Sequence, residues 1–207
     1  MIKRPDQAGI VPATPENIRL AAERLRAGEL VIVPTETVYG VAVRPDDSNA
    51  MARIYAAKGR EESKRLALFA PSIDSVRASG IQIPPAAERL ANAFWPGPLT
   101  MVLQNAAGEW VGFRVPDHPV ALAWLRELDF LPAVTSANRS GEPAALTAQA
   151  AWEVLSPHVA LALDDGQSPQ GIASTVVRVG AGNIEILRPG PISSEALVRV
   201  IDSSVWE

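Results

Sequence analysis

An α/β fold on a twisted sheet of mixed parallel and antiparallel strands is what this sequence predicts, and three observations carry the prediction. Short aliphatic and β-branched runs bounded by glycine and proline alternate with longer stretches of helical apolar spacing. Some connections, Gly180-Ala181-Gly182-Asn183 above all, are too short for a crossover and imply antiparallel neighbours. No repeat, low-complexity tract or interdomain linker interrupts the 207 residues, and the 18 prolines fall mostly at element boundaries, so 1–207 reads as one domain.

Thr14-Pro15-Glu16 starts the first helix, with Thr14 as cap, Pro15 in the first turn and Glu16 complementing the helix dipole. Ile18, Leu20, Ala21, Ala22 and Leu25 form its apolar stripe and Gly28 closes it. Leu30-Val31-Ile32-Val33 is a buried strand, followed after Gly40 by a second apolar run, Val41-Ala42-Val43. Ser48 is the expected cap of a helix carrying Met51, Ile54 and Tyr55 toward Lys58-Gly59-Arg60. Leu66–Ala70 reads as a strand, Ser72 as the start of a helical stretch, and Pro84-Pro85 as the opening of a helix that ends near Phe94-Trp95. Pro96-Gly97-Pro98 forces a turn before a strand from Leu99 to Leu103, and Gly108 precedes another from Trp110 to Val115. Asp117 is the expected cap of a helix with Val120, Leu122, Leu125 and Leu128. Ala133-Val134-Thr135 is a short strand, Thr147 caps a helix through Trp152 and Leu155, and Val159–Leu163 is a strand. Ser174–Val179 and Ile184–Leu187 pair as a hairpin, and Ser193 or Ser194 with Glu195 starts the last helix.

Composition narrows the function. A net charge of -4 argues against a surface coated with basic charge for nucleic acid, although it leaves room for a local patch. The absence of cysteine excludes disulfides, thiolate metal sites and cysteine nucleophiles. His118 and His158, the 2 histidines, lack ligand-like spacing. No signal peptide or run long enough to span a bilayer is present, so the expected location is cytoplasmic, without membrane association.

Pro34-Thr35-Glu36-Thr37-Val38-Tyr39-Gly40 places two threonines and a glutamate between core strands, where hydroxyls are costly unless they bond to something. Two readings stand: a polar turn whose threonines bond their own backbone, or a ligand contact. Elsewhere, polar residues recur where strands end: Lys58 and Arg60, Arg114, Ser136 and Asn138, Ser174 and Thr175, and Arg188. Strand ends of open α/β sheets commonly form the ligand cleft, and cations with hydroxyls suit an anionic, phosphate-bearing ligand. There is no P-loop.

Six motifs occur in one order: Pro34 to Gly40; Lys58-Gly59-Arg60; Trp95-Pro96-Gly97-Pro98-Leu99-Thr100; Ser136-Ala137-Asn138 with Ser140-Gly141; Ser174-Thr175; and Leu187-Arg188-Pro189-Gly190. Together they resemble the YrdC-like family of threonylcarbamoyl-AMP synthases over roughly residues 15–202. The resemblance implies a single YrdC-like domain, and the chain's end soon after its last helix implies that it lacks the extra C-terminal domain of longer members. It implies synthesis of threonylcarbamoyl-AMP and pyrophosphate from L-threonine, bicarbonate and ATP, with Mg2+ bound through ATP and not by side chains. A partner threonylcarbamoyl transferase complex would then act on tRNA, and weak direct contact with tRNA is a further expectation. Carried over by motif, Thr35, Arg114, Thr135 and Ser174 would bind threonine, with Arg114 pairing its carboxylate. Lys58, Arg60, Lys64, Ser136, Asn138 and Arg188 would bind ATP, with Lys58 and Arg60 as the catalytic cations. Nothing points to a covalent nucleophile; positioning and electrostatics would do the chemistry.

The match has departures. Glu61 and Arg65 stand where the family often has prolines, Phe69 where some relatives carry histidine, and Ala144 where some have serine near the nucleotide. The charged stretch Lys58–Arg65 reads either as a solvated helix end or as a flap over ATP. Two other functions compete: a non-catalytic module for tRNA or double-stranded RNA using Lys58, Arg60, Lys64 and Arg65, and a carbamoyl-adenylate-forming relative with another substrate. Arg114 separates the second from the synthase, because a threonine carboxylate needs a counter-charge.

Overall fold

The computed structural model describes residues 9–59, 61, 65–180 and 183–202. Arg60 and Lys64, and with Glu62 and Ser63 half of the charged stretch read as a flap, lie outside the described residues. The described chain runs β1 (Gly9–Pro12), α1 (Pro15–Arg26), β2 (Leu30–Val33), β3 (Gly40–Val43), α2 (Ser48–Lys58), β4 (Ala67–Phe69), α3 (Ile73–Ala78) and α4 (Pro85–Phe94). It continues through β5 (Leu99–Gln104), β6 (Trp110–Arg114), α5 (Pro119–Arg126), β7 (Ala133–Ser136), α6 (Ala148–Leu155), β8 (Val159–Asp164), β9 (Thr175–Val179), β10 (Ile184–Arg188) and α7 (Ser194–Asp202).

All these strands join one 10-stranded sheet in the order β1-β8-β2-β3-β7-β4-β6-β5-β9-β10. β8 pairs parallel with β1 and β2, β4 with β6, and β5 with β9. The β2/β3, β3/β7, β4/β7, β5/β6 and β9/β10 pairs are antiparallel, which is the mixed sheet expected of the short turns.

The two halves of the sheet are dressed differently, and this positions the site. Along β2, Leu30 and Ile32 pack in a core with Ile54 of α2 and Leu155 of α6. Val31 and Val33, pointing the other way, pack with Leu25 of α1 and Trp124 of α5. Along β5, β6 and β9, Met101, Leu103, Phe113 and Val177 pack with Val76 of α3, Leu90 of α4 and Leu197 of α7. Burying each such leucine contributes roughly 2 kcal/mol relative to exposure. The residues that alternate with this set, Thr100, Val102, Gly112, Arg114, Val176 and Arg178, line a cavity instead.

Three local readings needed correction. β1 was not anticipated, because Gly-Ile-Val-Pro offers only two apolar residues between breakers and pairs solely with β8 at the sheet's edge. The cap of α2 is Asp47, whose carboxylate accepts from Ala50 N at 3.0 Å, and Ser48 is the first helical residue. α5 is preceded by His118, which makes no side-chain capping bond; Pro119 in the first turn replaces a donor that would need one. The caps Thr14, Ser72 and Thr147 stand where expected. No helix among the described residues is long and apolar enough to cross a membrane.

Candidate active site

The cavity has a volume of about 620 Å3. It spreads from the ends of β2, β7 and β9 past Ala67 and Phe69 of β4, which also pack toward α1 and α5, and across the face of β6, β5 and β9 opposite their core residues, so the cleft reaches beyond the strand ends along the sheet itself. Gly112 helps form this floor: a methyl there would already touch Ala67 Cβ at 3.4 Å and Thr100 Cγ2 at 3.7 Å. The wall carries Arg65, Arg114, Arg178 and Arg188 together with the hydroxyls of Thr35, Thr37, Thr100, Thr135, Ser136 and Ser174, and among the described residues no carboxylate lines it. In a chain of net charge -4 this gathers four arginines on one surface, two of them, Arg114 and Arg178, paired with Glu36 and Glu185 behind the lining.

The loop after β2 is a polar turn whose threonines bond within the loop and also face the cavity. Thr35 Oγ1 donates to Val38 O at 2.6 Å, lies 2.9 Å from Thr37 Oγ1, and accepts from the backbone N–H groups of Thr37 and Val38 at 3.3 Å each. Thr35 and Thr37 nevertheless line the cavity. Behind them Ser168 Oγ donates to Thr35 O at 2.9 Å and Gln170 N donates to Glu36 O at 3.0 Å. Tyr39 locks the loop from below, its hydroxyl donating to Gly166 O at 2.7 Å and accepting from Asp165 N at 3.2 Å.

Arg114, at the end of β6, is buried, with Nη2 2.7 Å from Glu36 Oε1 and Nε donating to Gly97 O at 3.3 Å. Its guanidinium lies 5.4 Å over the Phe69 ring. Burial pulls its pKa below the usual guanidinium value, and the Glu36 carboxylate opposes that shift. Nearby, His118 Nε2 is 3.6 Å from Asp165 Oδ2; burial pulls its pKa down, against the pull of Asp165, Glu36 and Asp117.

A second cluster joins β9 to β10. Ser174 Oγ is 2.8 Å from Thr100 Oγ1, while Arg188 donates from Nε and Nη2 to Ser174 O at 3.2 and 2.9 Å and from Nη2 to Ser174 Oγ at 3.2 Å. Further along the floor, Arg178 stacks 5.3 Å over Trp110 and pairs with Glu185 at 2.7 Å.

Of the residues named from sequence, Thr35, Arg114, Thr135, Ser136, Ser174 and Arg188 converge on this cavity. Lys58 and Asn138 do not line it. The Lys58 ammonium donates to the carbonyls of Ser136 and Asn138, while Ser140 N donates to Lys58 O at 2.8 Å, so this lysine ties the end of α2 to the loop after β7. Asn138 donates to Arg139 O and Glu142 O, and its buried Oδ1 has no hydrogen-bond partner among the described residues. Thr100, Trp110 and Arg178 were not picked out as site residues. Their signal is period two: each shares a strand face with Val102, Gly112 or Val176, opposite the core face.

An arginine-rich cavity on a mixed α/β sheet, lined by no carboxylate among the described residues, has the chemistry to receive an anion-bearing small molecule. Comparison with known proteins makes that class specific. The chain belongs to the Sua5/YciO/YrdC family, whose description reads telomere recombination and whose match spans residues 23–190. A Pyrococcus abyssi protein named threonylcarbamoyl-AMP synthase is 38% identical over 194 residues, covering 89% of this chain and 57% of that one. A Mycobacterium tuberculosis relative, given the same activity provisionally, is 38% identical over 190 residues and 87% of each chain. The crystal structure of Pyrococcus abyssi Sua5 complexed with L-threonine superposes with a TM-score of 0.85 at 33% identity, covering 94% of this chain and 60% of that one.

Proposed function

We propose that this chain is an L-threonylcarbamoyladenylate synthase, which makes threonylcarbamoyl-AMP and pyrophosphate from L-threonine, bicarbonate and ATP. The carrying observation is the cavity wall of four arginines and six hydroxyls, without a carboxylate among the described residues, in a chain whose relatives bear that activity in their names. In the reaction, the threonine amine and bicarbonate give a carbamate and water. A carbamate oxygen then attacks the α-phosphorus of ATP, and the bond to the pyrophosphate oxygen breaks.

That attack brings two anions together, so fixed cations that face both of them lower its barrier. In this reading Arg114 pairs the amino-acid carboxylate, with Thr35, Thr135 and Ser174 on the same cavity wall. Arg188, which donates to Ser174, and Ser136 face the phosphates. Lys58 and Asn138 serve by holding the backbone at Ser136, through the Lys58 ammonium and the Asn138 backbone amide. Magnesium would be held through ATP and water, since the wall offers no carboxylate among the described residues, and it would screen the phosphate charge. The product is a mixed anhydride that must pass to a transferase acting on tRNA, and a cytoplasmic setting belongs to the same proposal.

Pyrophosphate release with each substrate omitted in turn tests this. The complete mixture should turn over, omission of threonine should nearly abolish release, and serine should substitute less well because it lacks the methyl group. Equal release without any amino acid would sink the reading.

A further inference from the structure

Glu36 is a carboxylate inside the protein for which the reaction above has no use. Its side chain is 6% exposed and does not line the cavity, whereas Arg114 does. Neither of its oxygens accepts a well-formed hydrogen bond among the described residues; the contact with Arg114 Nη2 is ionic. A buried ion pair returns little net stability, because desolvation offsets its attraction, so stability alone does not account for this one. What the pair does have is fixed geometry on both sides. The Glu36 carbonyl is held by Gln170 N and the preceding carbonyl by Ser168, while Arg114 is held by Gly97 O and lies over Phe69.

A guanidinium carries donors on three nitrogens in a rigid fork, and Glu36 and Gly97 engage only part of that fork. We propose that Glu36 is a positioning residue: it sets the orientation of Arg114 and thereby the affinity of the cavity for the carboxylate of the amino-acid substrate. The inference rests on the reading above that Arg114 pairs this carboxylate. Two effects of opposite sign compete. Glu36 cancels part of the charge of Arg114, which weakens its pull on an anion. It also holds in place a buried cation that, left unpaired, would turn toward other acceptors or water. Orientation wins here because Arg114 is as buried as Glu36, and a displaced fork loses directed hydrogen bonds that charge alone does not replace.

The test is calorimetric titration of L-threonine into the parent protein, Glu36→Gln, Arg114→Ala and the double variant, with pyrophosphate release measured alongside. Glu36→Gln keeps the shape and removes the charge. It should weaken threonine binding on the order of tenfold or more, the scale of one hydrogen bond to a charged group, while the KM for ATP stays within about twofold. In the Arg114→Ala background it should add nothing, since it acts through that arginine. Glu36→Asp retains the charge on a shorter stem and should lose less affinity than Glu36→Gln. Parental or tighter threonine binding by Glu36→Gln overturns the proposal, as does a full further loss on top of Arg114→Ala. Should Glu36→Gln fail to fold, Glu36→Asp decides: weaker threonine binding with an unchanged ATP requirement supports the proposal, and parental binding overturns it. Arg114→Ala binding threonine at parental affinity would instead sink the assignment of Arg114 itself, and this inference with it.

Discussion

Replacing Gly190 by alanine should loosen the fold and the site together. Gly190 follows β10 and abuts the start of β9 so closely that a Cβ would lie 2.4 Å from Thr175 N, 2.7 Å from Ala173 O and 2.7 Å from Ser174 C. All three are backbone atoms, so no rotamer change relieves the overlap. The segment they belong to has little freedom to retreat. Thr175 N donates to Pro98 O at 2.9 Å, and Thr175 Oγ1 donates to Ile192 O and accepts from Ile192 N at 3.0 Å each. Overpacking a well-filled site costs about 1–3 kcal/mol, and three backbone contacts put this substitution at about 3 kcal/mol. For a chain of this size that is a fall in Tm of roughly 6–12 °C. Because Arg188 grips Ser174 O, the shift also displaces two cavity residues, and kcat/KM for pyrophosphate release should fall with stability. Gly9→Ala is the control, since nothing lies within 4 Å of a Cβ there. Calorimetric melting of both variants beside the parent decides the matter; Gly190→Ala melting within about 2 °C of the parent would refute the steric reasoning.

Arg188→Ala should keep the fold and reduce pyrophosphate release on the order of a hundredfold, the usual loss for one fixed cation at a developing charge; normal melting with parental turnover would remove Arg188 from the nucleotide site. Tyr39→Phe should cost about 1–2 kcal/mol in urea melts at neutral pH, because Gly166 O and Asp165 N both lose their partner. The same residue gives a pH signature: burial pushes the Tyr39 phenol from 10.0 up to about 12, so the unfolded chain releases that proton first. Its contribution is whole below pH 10 and is lost as pH rises from 10 toward 12; the stability of the parent should fall more steeply across that window than that of Tyr39→Phe, and parallel profiles would count against it.

How much of this was readable from the chain depends on the range of the interaction. Caps, turns and buried strands rest on neighbours a few residues away, so Thr14, Gly28, Leu30–Val33 and the β9/β10 hairpin follow from local chemistry. Even there, adjacent candidates such as Asp47 and Ser48 differ only in which side chain meets the amide, which the order of residues does not decide. Glu36 is the opposite case. Between two threonines it is as compatible with a solvated turn as with burial, and only the fold brings Arg114 to it. Lys58 shows the same limit: the motif places an ammonium near the site, but its carbonyl partners come from the end of β7 and the loop beyond it.

The cavity itself was within reach. Thr100 alternates with Met101, Arg114 with Phe113, and Arg178 with Val177, so polar and core residues occupy opposite faces of three neighbouring strands. A sheet covered by helices on both faces has no use for such alternation, as the continuous apolar run of β2 shows. Where one α/β sheet contains both patterns, the alternating strands mark the stretch that helices leave open. Arginine and threonine at those positions then indicate what the opening receives: an anion with groups to hydrogen-bond, bound across the face of the sheet.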